Sequence, residues 1–82
     1  MNEEARLRQY LLSDLIRDDI DLAVEEPIFS SGLLDSFAVT RLMCFLEDEF
    51  GVRIPVADVT LADFDSIERM LRLVVRLKAT AV

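Results

Sequence analysis

One serine hydroxyl stands at a position where a loop is predicted to become a helix. The segment Gly32-Leu33-Leu34-Asp35-Ser36-Phe37 is followed by apolar residues at helical spacing up to Phe50. Asp35 can cap the new helix, and the free amides of a first helical turn, with the positive end of the helix dipole, favour an anion bonded there. A phosphodiester on the Ser36 hydroxyl would suit that position. Ser36 is therefore the first candidate for a functional atom.

The usual general base of enzymes, histidine, is missing from the chain, and thiols are scarce. Histidine is absent, and Cys44 is the only cysteine. The absence of histidine excludes serine–histidine and cysteine–histidine catalysis. A single cysteine excludes an intramolecular disulfide and a cysteine cluster for zinc. Cys44 is expected to be a small buried or half-buried residue. A hydrolase or transferase using Ser36 would lack a base and oxyanion-stabilising groups, so the sequence indicates a non-catalytic protein.

A group of acidic residues precedes the candidate site. The group lacks the alternating acids, central glycine and closing glutamate that calcium-binding loops use. We therefore expect a solvated loop without an ordered metal ion. The residues concerned are Asp18, Asp19, Asp21, Glu25 and Glu26.

The net charge of −7 is unevenly distributed along the chain. Residues 1–50 hold 12 acidic and 4 basic residues, whereas residues 51–82 hold 4 acidic and 5 basic residues. Such a field repels nucleic acids and anionic membrane surfaces, and it speeds encounters with basic partners. We expect protein partners with basic patches, and no nucleic-acid or membrane partner.

Length and composition predict one small soluble domain over residues 1–82. Hydrophobic residues make up 52% of the chain, which is too many for a disordered tail. The longest apolar runs are far shorter than the roughly 20 residues that span a bilayer. No secretory or transit segment is visible in the acidic stretch Met1-Asn2-Glu3-Glu4, so a cytoplasmic location is expected. Nothing in the periodicity demands a dimer, so we expect a monomer.

Apolar periodicity predicts the elements that position Ser36. A first amphipathic helix is expected over residues 3 to about 17, and its apolar stripe is Leu7, Leu11, Leu12, Leu15 and Ile16. Periodicity then disappears from Asp18 to Leu34, which indicates a long loop held by a few apolar residues. Loops of this length are uncommon in compact domains and are often functional.

The remaining apolar residues predict three further helices. The second helix is expected from about Ser36 to Phe50, with Gly51 as its left-handed cap. After a short extended crossing, a short third helix is expected over Val56 to Leu61. The last helix is expected to begin at a capping box, Asp65-Ser66-Ile67-Glu68, and its apolar face is Ile67, Met70, Leu71, Val74 and Leu77. The sequence thus predicts an all-α fold, a small four-helix bundle with three longer helices and one short helix.

Together these segments resemble the acyl and peptidyl carrier protein family. In that family a loop, a glycine, an apolar pair and Asp-Ser-Leu open the second helix, and here the pattern reads Gly32 to Phe37. The resemblance covers about residues 5–78. Further matching segments are Leu42, Leu46-Glu47, Glu49-Phe50-Gly51-Val52, Ile54-Pro55 and Asp63-Phe64-Asp65-Ser66-Ile67.

The resemblance implies a covalent prosthetic group and a set of partner enzymes. A separate phosphopantetheinyl transferase would move the 4'-phosphopantetheine of coenzyme A onto Ser36, with Asp35 capping the helix and helping the transferase to recognise the site. An adenylating ligase or acyltransferase would load the thiol of the arm, and a downstream transferase or synthase would receive the cargo. The residues assigned to partner docking are Phe37, Val39, Thr40, Arg41, Met43 and Glu47.

Several residues on the second helix leave alternatives open. Phe37 replaces the more usual Leu or Met, and it is either a docking contact or a core or rim aromatic. Glu47, Asp48 and Glu49 lie where acids oppose the helix dipole, which indicates either partner contact or a solvated face.

Arg41 stands where carriers of fatty acid synthesis often have an acid. This difference argues against a housekeeping fatty acid carrier. The runs Gly32-Leu33-Leu34-Asp35-Ser36 and Asp63-Phe64-Asp65-Ser66-Ile67 are more similar to free-standing carriers for D-alanine, other amino acids, or the small polar extender units of natural-product biosynthesis, polyketide or nonribosomal peptide. We expect an amino acid or short acyl cargo. The alternatives are an unmodified helical adaptor that docks basic partner proteins, and a fatty acid synthesis acyl carrier.

Overall fold

The computed structural model describes residues 2–18 and 20–80, without the side chain of Thr80. Within these ranges the regular structure is entirely helical and no strand is found. Its elements are α1 (Glu3–Tyr10), a π-helix that continues it (Leu11–Ile16), α2 (Ala38–Phe50), two 3-10 turns (Val56–Asp58 and Leu61–Phe64) and α3 (Ile67–Thr80). Met1 of the acidic N-terminal stretch and Asp19 of the acidic group lie outside the described residues.

The first predicted helix is confirmed, with a change of helical type in its second half. It begins at Asn2, whose Oδ1 accepts a hydrogen bond from the Ala5 amide at 2.7 Å and satisfies one of the free donors of the first turn. The π-helix ends at Arg17, which has a left-handed φ of 58°. Nothing in the sequence distinguishes the π segment from an α-helix.

Contacts between α1 and α2 show that these helices are antiparallel. The Nη2 of Arg6, near the start of α1, lies 2.7 Å from the Oε1 of Glu49 near the end of α2. One turn further along α1, the Tyr10 ring stacks on Phe45 with 3.9 Å between the ring centroids. The N-terminal part of α1 therefore packs beside the C-terminal part of α2.

A contact at the other end of the chain shows that α1 and α3 are also antiparallel. The Nζ of Lys78 lies 3.3 Å from the Oε2 of Glu3. Because both later helices oppose α1, α2 and α3 run in the same direction and begin at the same end of the molecule. Ser36 precedes α2 and Asp65 precedes α3, so both lie at this end, which we call the Ser36 end.

The core joins one face of every helix to apolar residues of the long loop. Leu22, Ile28 and Phe29 are the loop residues that enter it, and this confirms that a few apolar side chains hold the loop. The remaining buried apolar residues are Leu7, Leu11, Leu42, Leu46, Phe50, Val52, Ile54, Phe64, Ile67, Met70, Leu73, Val74 and Leu77.

The short third helix predicted over Val56 to Leu61 is confirmed only in part, because the segment is helical over one 3-10 turn and does not form a continuous helix. That segment contains one 3-10 turn, and a second turn follows after Val59 and Thr60, whose φ values of −122° and −125° are those of extended backbone. Val56 is 72% exposed, so the segment has no continuous apolar face that packing could hold as an α-helix. The described residues thus form three helices and two 3-10 turns.

The predicted capping box at the start of the last helix is wrong in its position. A reciprocal pair lies five residues earlier, where the Thr60 amide donates to Oδ2 of Asp63 at 2.9 Å. The cap of α3 is Ser66, whose Oγ accepts from the Arg69 amide at 3.1 Å and which is only 3% exposed. Asp65 therefore does not cap α3, and its side chain bonds the long loop near the candidate site instead.

Candidate functional site

Ser36 lies in a turn two residues before α2, so the predicted helix start is slightly early. Oδ1 of Asp35 accepts from the Phe37 amide at 3.1 Å, and the Asp35 carbonyl accepts from the Ala38 amide at 3.1 Å. Asp35 therefore caps the turn that leads into α2, as Asp side chains often do two residues ahead of a bonded amide. The N-cap position of α2 itself is Phe37, whose side chain cannot cap.

The Ser36 hydroxyl differs from those of other serines in the same part of the chain. Ser30 donates to Oδ2 of Asp65 at 2.7 Å, and Ser31 donates to the Pro27 carbonyl at 2.6 Å. Ser36 is exposed, and its hydroxyl makes no hydrogen bond to any residue that the structure describes. A modifying enzyme can thus reach this hydroxyl without breaking an internal bond.

The amides around Ser36 do not form the free anion site that the sequence suggested. The Phe37 and Ala38 amides are bonded to Asp35, and the Val39 amide donates to the Ser36 carbonyl at 3.2 Å. The dipole of the 13-residue helix α2 still favours negative charge at this end. That field would favour a phosphodiester on Ser36, and because the turn is exposed the phosphodiester would stay hydrated.

Asp65 anchors the long loop at the Ser36 end. Its Oδ1 accepts from the amides of Ile28 (3.2 Å), Phe29 (2.7 Å) and Ser30 (3.0 Å). The Ile28 amide also donates to the Asp65 carbonyl at 2.7 Å. One aspartate thus satisfies three consecutive backbone donors at the start of the segment that leads to Ser36.

These hydrogen bonds control the ionisation of Asp65. The Ser30 amide is the largest cause that lowers the pKa of the Asp65 carboxyl below its ordinary value of 3.8, and burial opposes it. The carboxyl is therefore ionised at neutral pH, which strengthens the bonds from the loop amides.

Two further sets of bonds shape the loop. The Glu68 amide at the start of α3 donates to the Val24 carbonyl at 2.8 Å. The Gly32 and Leu34 amides donate to the Phe29 and Ile28 carbonyls at 3.1 Å each, and Gly32 adopts a φ of 87°, which favours glycine. The loop is therefore closed on itself just before Asp35 and Ser36.

One face of α2 is exposed beside Ser36. Phe37 is 86% exposed, which is unusual for a large aromatic side chain and rules out the core alternative for it. Of the other residues assigned to docking, Thr40 and Arg41 are exposed, whereas Val39 and Met43 are half-buried against the core. The structure thus brings an aromatic ring, a hydroxyl and a cation together near Ser36.

The acidic residues near the end of α2 have intramolecular partners. Oε2 of Glu47 accepts from the Ile54 amide at 2.9 Å and holds the extended crossing that follows α2. Glu49 forms the ion pair with Arg6. These contacts give Glu47 and Glu49 structural roles, while Asp48 is exposed.

Tyr10 supports the helix that carries Arg41. Its hydroxyl donates to the Arg41 carbonyl at 3.2 Å. Burial is the main reason that the pKa of Tyr10 is raised above 10.0, and the nearby Asp14 adds to the effect. The hydroxyl therefore stays protonated and continues to donate at physiological pH.

The expectation for Cys44 is wrong, because this residue is exposed on α2. Its neighbours Leu42, Leu46 and Phe50 supply the buried face of the helix instead. Within residues 2–18 and 20–80, no group of three acidic, histidine or cysteine side chains could hold a metal ion. No helix in the same ranges is long and apolar enough to cross a membrane.

Comparison with known proteins identifies related sequences. The profile of a family described as "Phosphopantetheine attachment site" matches residues 5–74. The D-alanyl carrier protein of Lactobacillus helveticus is 30% identical over 61 residues, which are 74% of this chain and 77% of that protein. The D-alanyl carrier protein of Streptococcus sanguinis is 26% identical over 68 residues, which are 83% of this chain and 86% of that protein. The matched regions include the turn that carries the exposed serine.

Proposed function

The chain belongs to the family of carrier proteins that bear a covalently attached 4'-phosphopantetheine, and we propose that Ser36 is the residue that bears it. The observation that supports this assignment is the exposed, unbonded hydroxyl of Ser36 in the turn before α2. Asp35 fixes that turn through the Phe37 and Ala38 amides, so the hydroxyl is presented at a defined place.

The arm supplies a terminal thiol on which the cargo is held as a thioester. The protein's own residues have two tasks in this function. The loop tied to Asp65 and the turn at Asp35 hold the attachment point at one end of the molecule. The exposed face of α2 offers partner enzymes a surface beside that point.

We propose that the cargo is an amino acid, with D-alanine the first candidate. The relatives in Lactobacillus helveticus and Streptococcus sanguinis are D-alanyl carrier proteins, which supports this cargo. An adenylating ligase would then load the arm, and a downstream transferase would take the aminoacyl group. Other amino acids and the small polar extender units of polyketide or nonribosomal peptide assembly are the other cargoes within the proposal.

We further propose that partners dock on Phe37, Thr40 and Arg41. A partner surface that fits them has an apolar recess for the ring and a carboxylate for the guanidinium. Val39 and Met43 would add apolar area at the edge of this surface. Glu47 could contribute only its oxygen that is not bonded to the Ile54 amide.

The attachment site is tested by incubating the protein with coenzyme A and a broad-specificity phosphopantetheinyl transferase and measuring the intact mass. We expect one phosphopantetheine per chain. Ser36→Ala should abolish the gain, whereas Ser13→Ala, which removes an exposed hydroxyl of the first helix away from the proposed docking surface, should leave it unchanged. If the native protein gains no mass, the alternative function of an unmodified helical adaptor is favoured.

The cargo is tested with the modified protein, ATP, candidate amino acids and an amino-acid-adenylating ligase. We expect an aminoacyl thioester, recognised by its release with hydroxylamine. Exclusive loading with long fatty chains would favour the fatty acid synthesis carrier and contradict the proposed cargo, while leaving the assignment of Ser36 intact.

A further inference from the structure

A small pocket lies beside the loop that leads to Ser36. It has a volume of about 250 Å³ and is lined by Phe29, Ser30, Leu61, Ala62 and Asp65. Three of these side chains are apolar, so Ser30 and Asp65 supply the polar side-chain atoms of the lining. Leu61 and Ala62 are exposed, so the pocket opens at the surface.

The carboxylate of Asp65 has an unused hydrogen-bonding position. Oδ1 is occupied by the Ile28, Phe29 and Ser30 amides, but Oδ2 accepts only the Ser30 hydroxyl at 2.7 Å. Oδ2 thus accepts fewer hydrogen bonds than the three that Oδ1 accepts, which leaves room on Oδ2 for a further donor. A positively charged donor is favoured there because the carboxylate is ionised.

The pocket is close enough to Ser36 for an arm attached there to reach it. Both lie at the Ser36 end, and two hydrogen bonds join them through the loop: Leu34 amide to Ile28 carbonyl (3.1 Å) and Ile28 amide to Asp65 carbonyl (2.7 Å). Ser36 follows Leu34 by two residues, and each residue spans at most about 3.6 Å. The path from Ser36 to Asp65 is therefore on the order of 15 Å.

We propose that this pocket binds the free ammonium group of a small aminoacyl cargo, with Oδ2 of Asp65 as the acceptor and Phe29, Leu61 and Ala62 around the side chain. The inference rests on the proposed function, since the cargo reaches the pocket on the arm of Ser36. Tethering gives the cargo an effective concentration in the millimolar range, so a weak site suffices. The pocket thus favours cargo with a free amine and a small side chain over simple acyl groups.

The experiment compares two cargoes that differ only in the charged group. The ¹⁵N-labelled protein is loaded with D-alanine or with D-lactate, in which a hydroxyl replaces the ammonium. We expect amide shifts at Phe29, Ser30, Leu61 and Ala62 for the D-alanyl form and little change for the D-lactyl form. We also expect hydrolysis of the D-alanyl thioester to be about two- to fivefold slower than in a variant with a blocked pocket, the factor that one exposed ion pair provides.

The blocked variant is Ala62→Leu, which fills the pocket and leaves every hydrogen bond of Asp65 in place. It should remove the amide shifts and the protection from hydrolysis. Asp65→Asn is a second variant, with the fold checked by its amide spectrum, and it should also remove them. Equal shifts for both cargoes, or shifts unchanged by Ala62→Leu, would overturn the proposal.

Failure here is distinguishable from failure of the proposed function. The mass measurement shows first whether Ser36 bears the arm. D-alaninamide, which carries the same ammonium group, is then titrated at millimolar concentration into the unmodified protein, with D-lactamide as the neutral control. Amide shifts at the pocket with D-alaninamide but not with D-lactamide would support the site whether or not the arm is present. If neither the D-alanyl-loaded protein nor free D-alaninamide gives shifts there, the site is rejected.

Discussion

At the scale of single residues, the site depends on which polar groups are already bonded. The hydroxyls of Ser31 and Ser66 bond backbone groups and that of Ser30 bonds the Asp65 carboxylate, whereas the Ser36 hydroxyl has no such bond among the described residues. Asp35 and Asp65 both accept backbone amides, but Asp35 fixes one turn whereas Asp65 fixes a whole loop. Substitutions of these residues should therefore separate function from stability.

Phe37→Ala should impair partner binding without affecting the fold. The ring is 86% exposed, so the free energy of unfolding should change by less than about 0.5 kcal/mol. The rate constant kcat/KM for modification by the transferase should fall at least about fivefold if the ring is a docking contact. The matched control is Leu42→Ala, a fully buried residue of the same helix, which should cost about 2–5 kcal/mol in urea unfolding. An unchanged kcat/KM for Phe37→Ala would remove Phe37 from the docking surface.

Asp65→Asn should weaken the fold in a pH-dependent way. The pKa of Asp65 is lower in the folded protein than its ordinary value of 3.8, so its stabilisation is present above that value. It is lost as the pH falls through 3.8 towards the folded-state pKa. We expect the variant to be about 1–3 kcal/mol less stable at pH 7, with the difference shrinking below about pH 4.

Urea unfolding at pH 7 and pH 3 measures this difference. Asp58→Asn is the control, because that carboxylate is exposed and makes no hydrogen bond to the described residues. A stability difference between the native protein and Asp65→Asn that stays constant over this pH range would contradict the role given to Asp65.

At the scale of elements, the end of α2 shows how a local signal fixes a boundary. Gly51 has a φ of 66°, and its amide donates to the Glu47 carbonyl at 3.0 Å. The same Glu47 holds the Ile54 amide through its side chain. The end of α2 and the crossing that follows it therefore form one bonded unit.

Gly51→Ala should destabilise this unit through the backbone alone. An added Cβ would meet no atom within 4 Å, so the cost comes from the left-handed conformation and should be about 1–2 kcal/mol. Gly51→Asn should cost less, because asparagine tolerates that conformation better. Thermal unfolding of the two variants checks the order, and a Gly51→Asn variant no more stable than Gly51→Ala would contradict the conformational cause.

At the scale of the whole molecule, charge and topology act together. The whole chain carries a charge of −7, and residues 18–52 hold nine acidic residues and one basic residue, Arg41. The parallel arrangement of α2 and α3 brings Ser36, the proposed attachment point, and the loop anchor Asp65 to one end. Partners of the proposed carrier would therefore meet an acidic protein whose proposed functional groups lie together.

Association with basic partners should weaken as salt rises. We expect modification by a basic phosphopantetheinyl transferase to slow several-fold between about 20 and 500 mM salt, because the Debye length shortens from roughly 20 Å to below 5 Å. Replacing Glu25 and Glu26 by glutamine should make this dependence shallower. The rate is followed by intact mass at substrate concentrations below KM. A rate independent of salt would show that the acidic field does not guide docking.

The sequence by itself determined the helical class, the loop, the cap at Gly51 and the carrier family. These features depend on local periodicity and on a contiguous motif, which are properties of the sequence and do not depend on tertiary contacts. The start of α2 lies two residues after the predicted position at Ser36. The capping box predicted at Asp65 was wrong because several neighbouring residues can cap equally well. Packing chose Ser66 and the Thr60–Asp63 pair.

Only the tertiary structure decided what Asp65 does, which faces of α2 are exposed, and that Ser36 and Asp65 share one end. The partners of Asp65 lie more than thirty residues away at Ile28, Phe29 and Ser30. Likewise, the Val56 segment could not be predicted, because whether an apolar residue is buried depends on its neighbours in space. Long-range hydrogen bonds and burial are properties of the folded chain, and no local pattern encodes them.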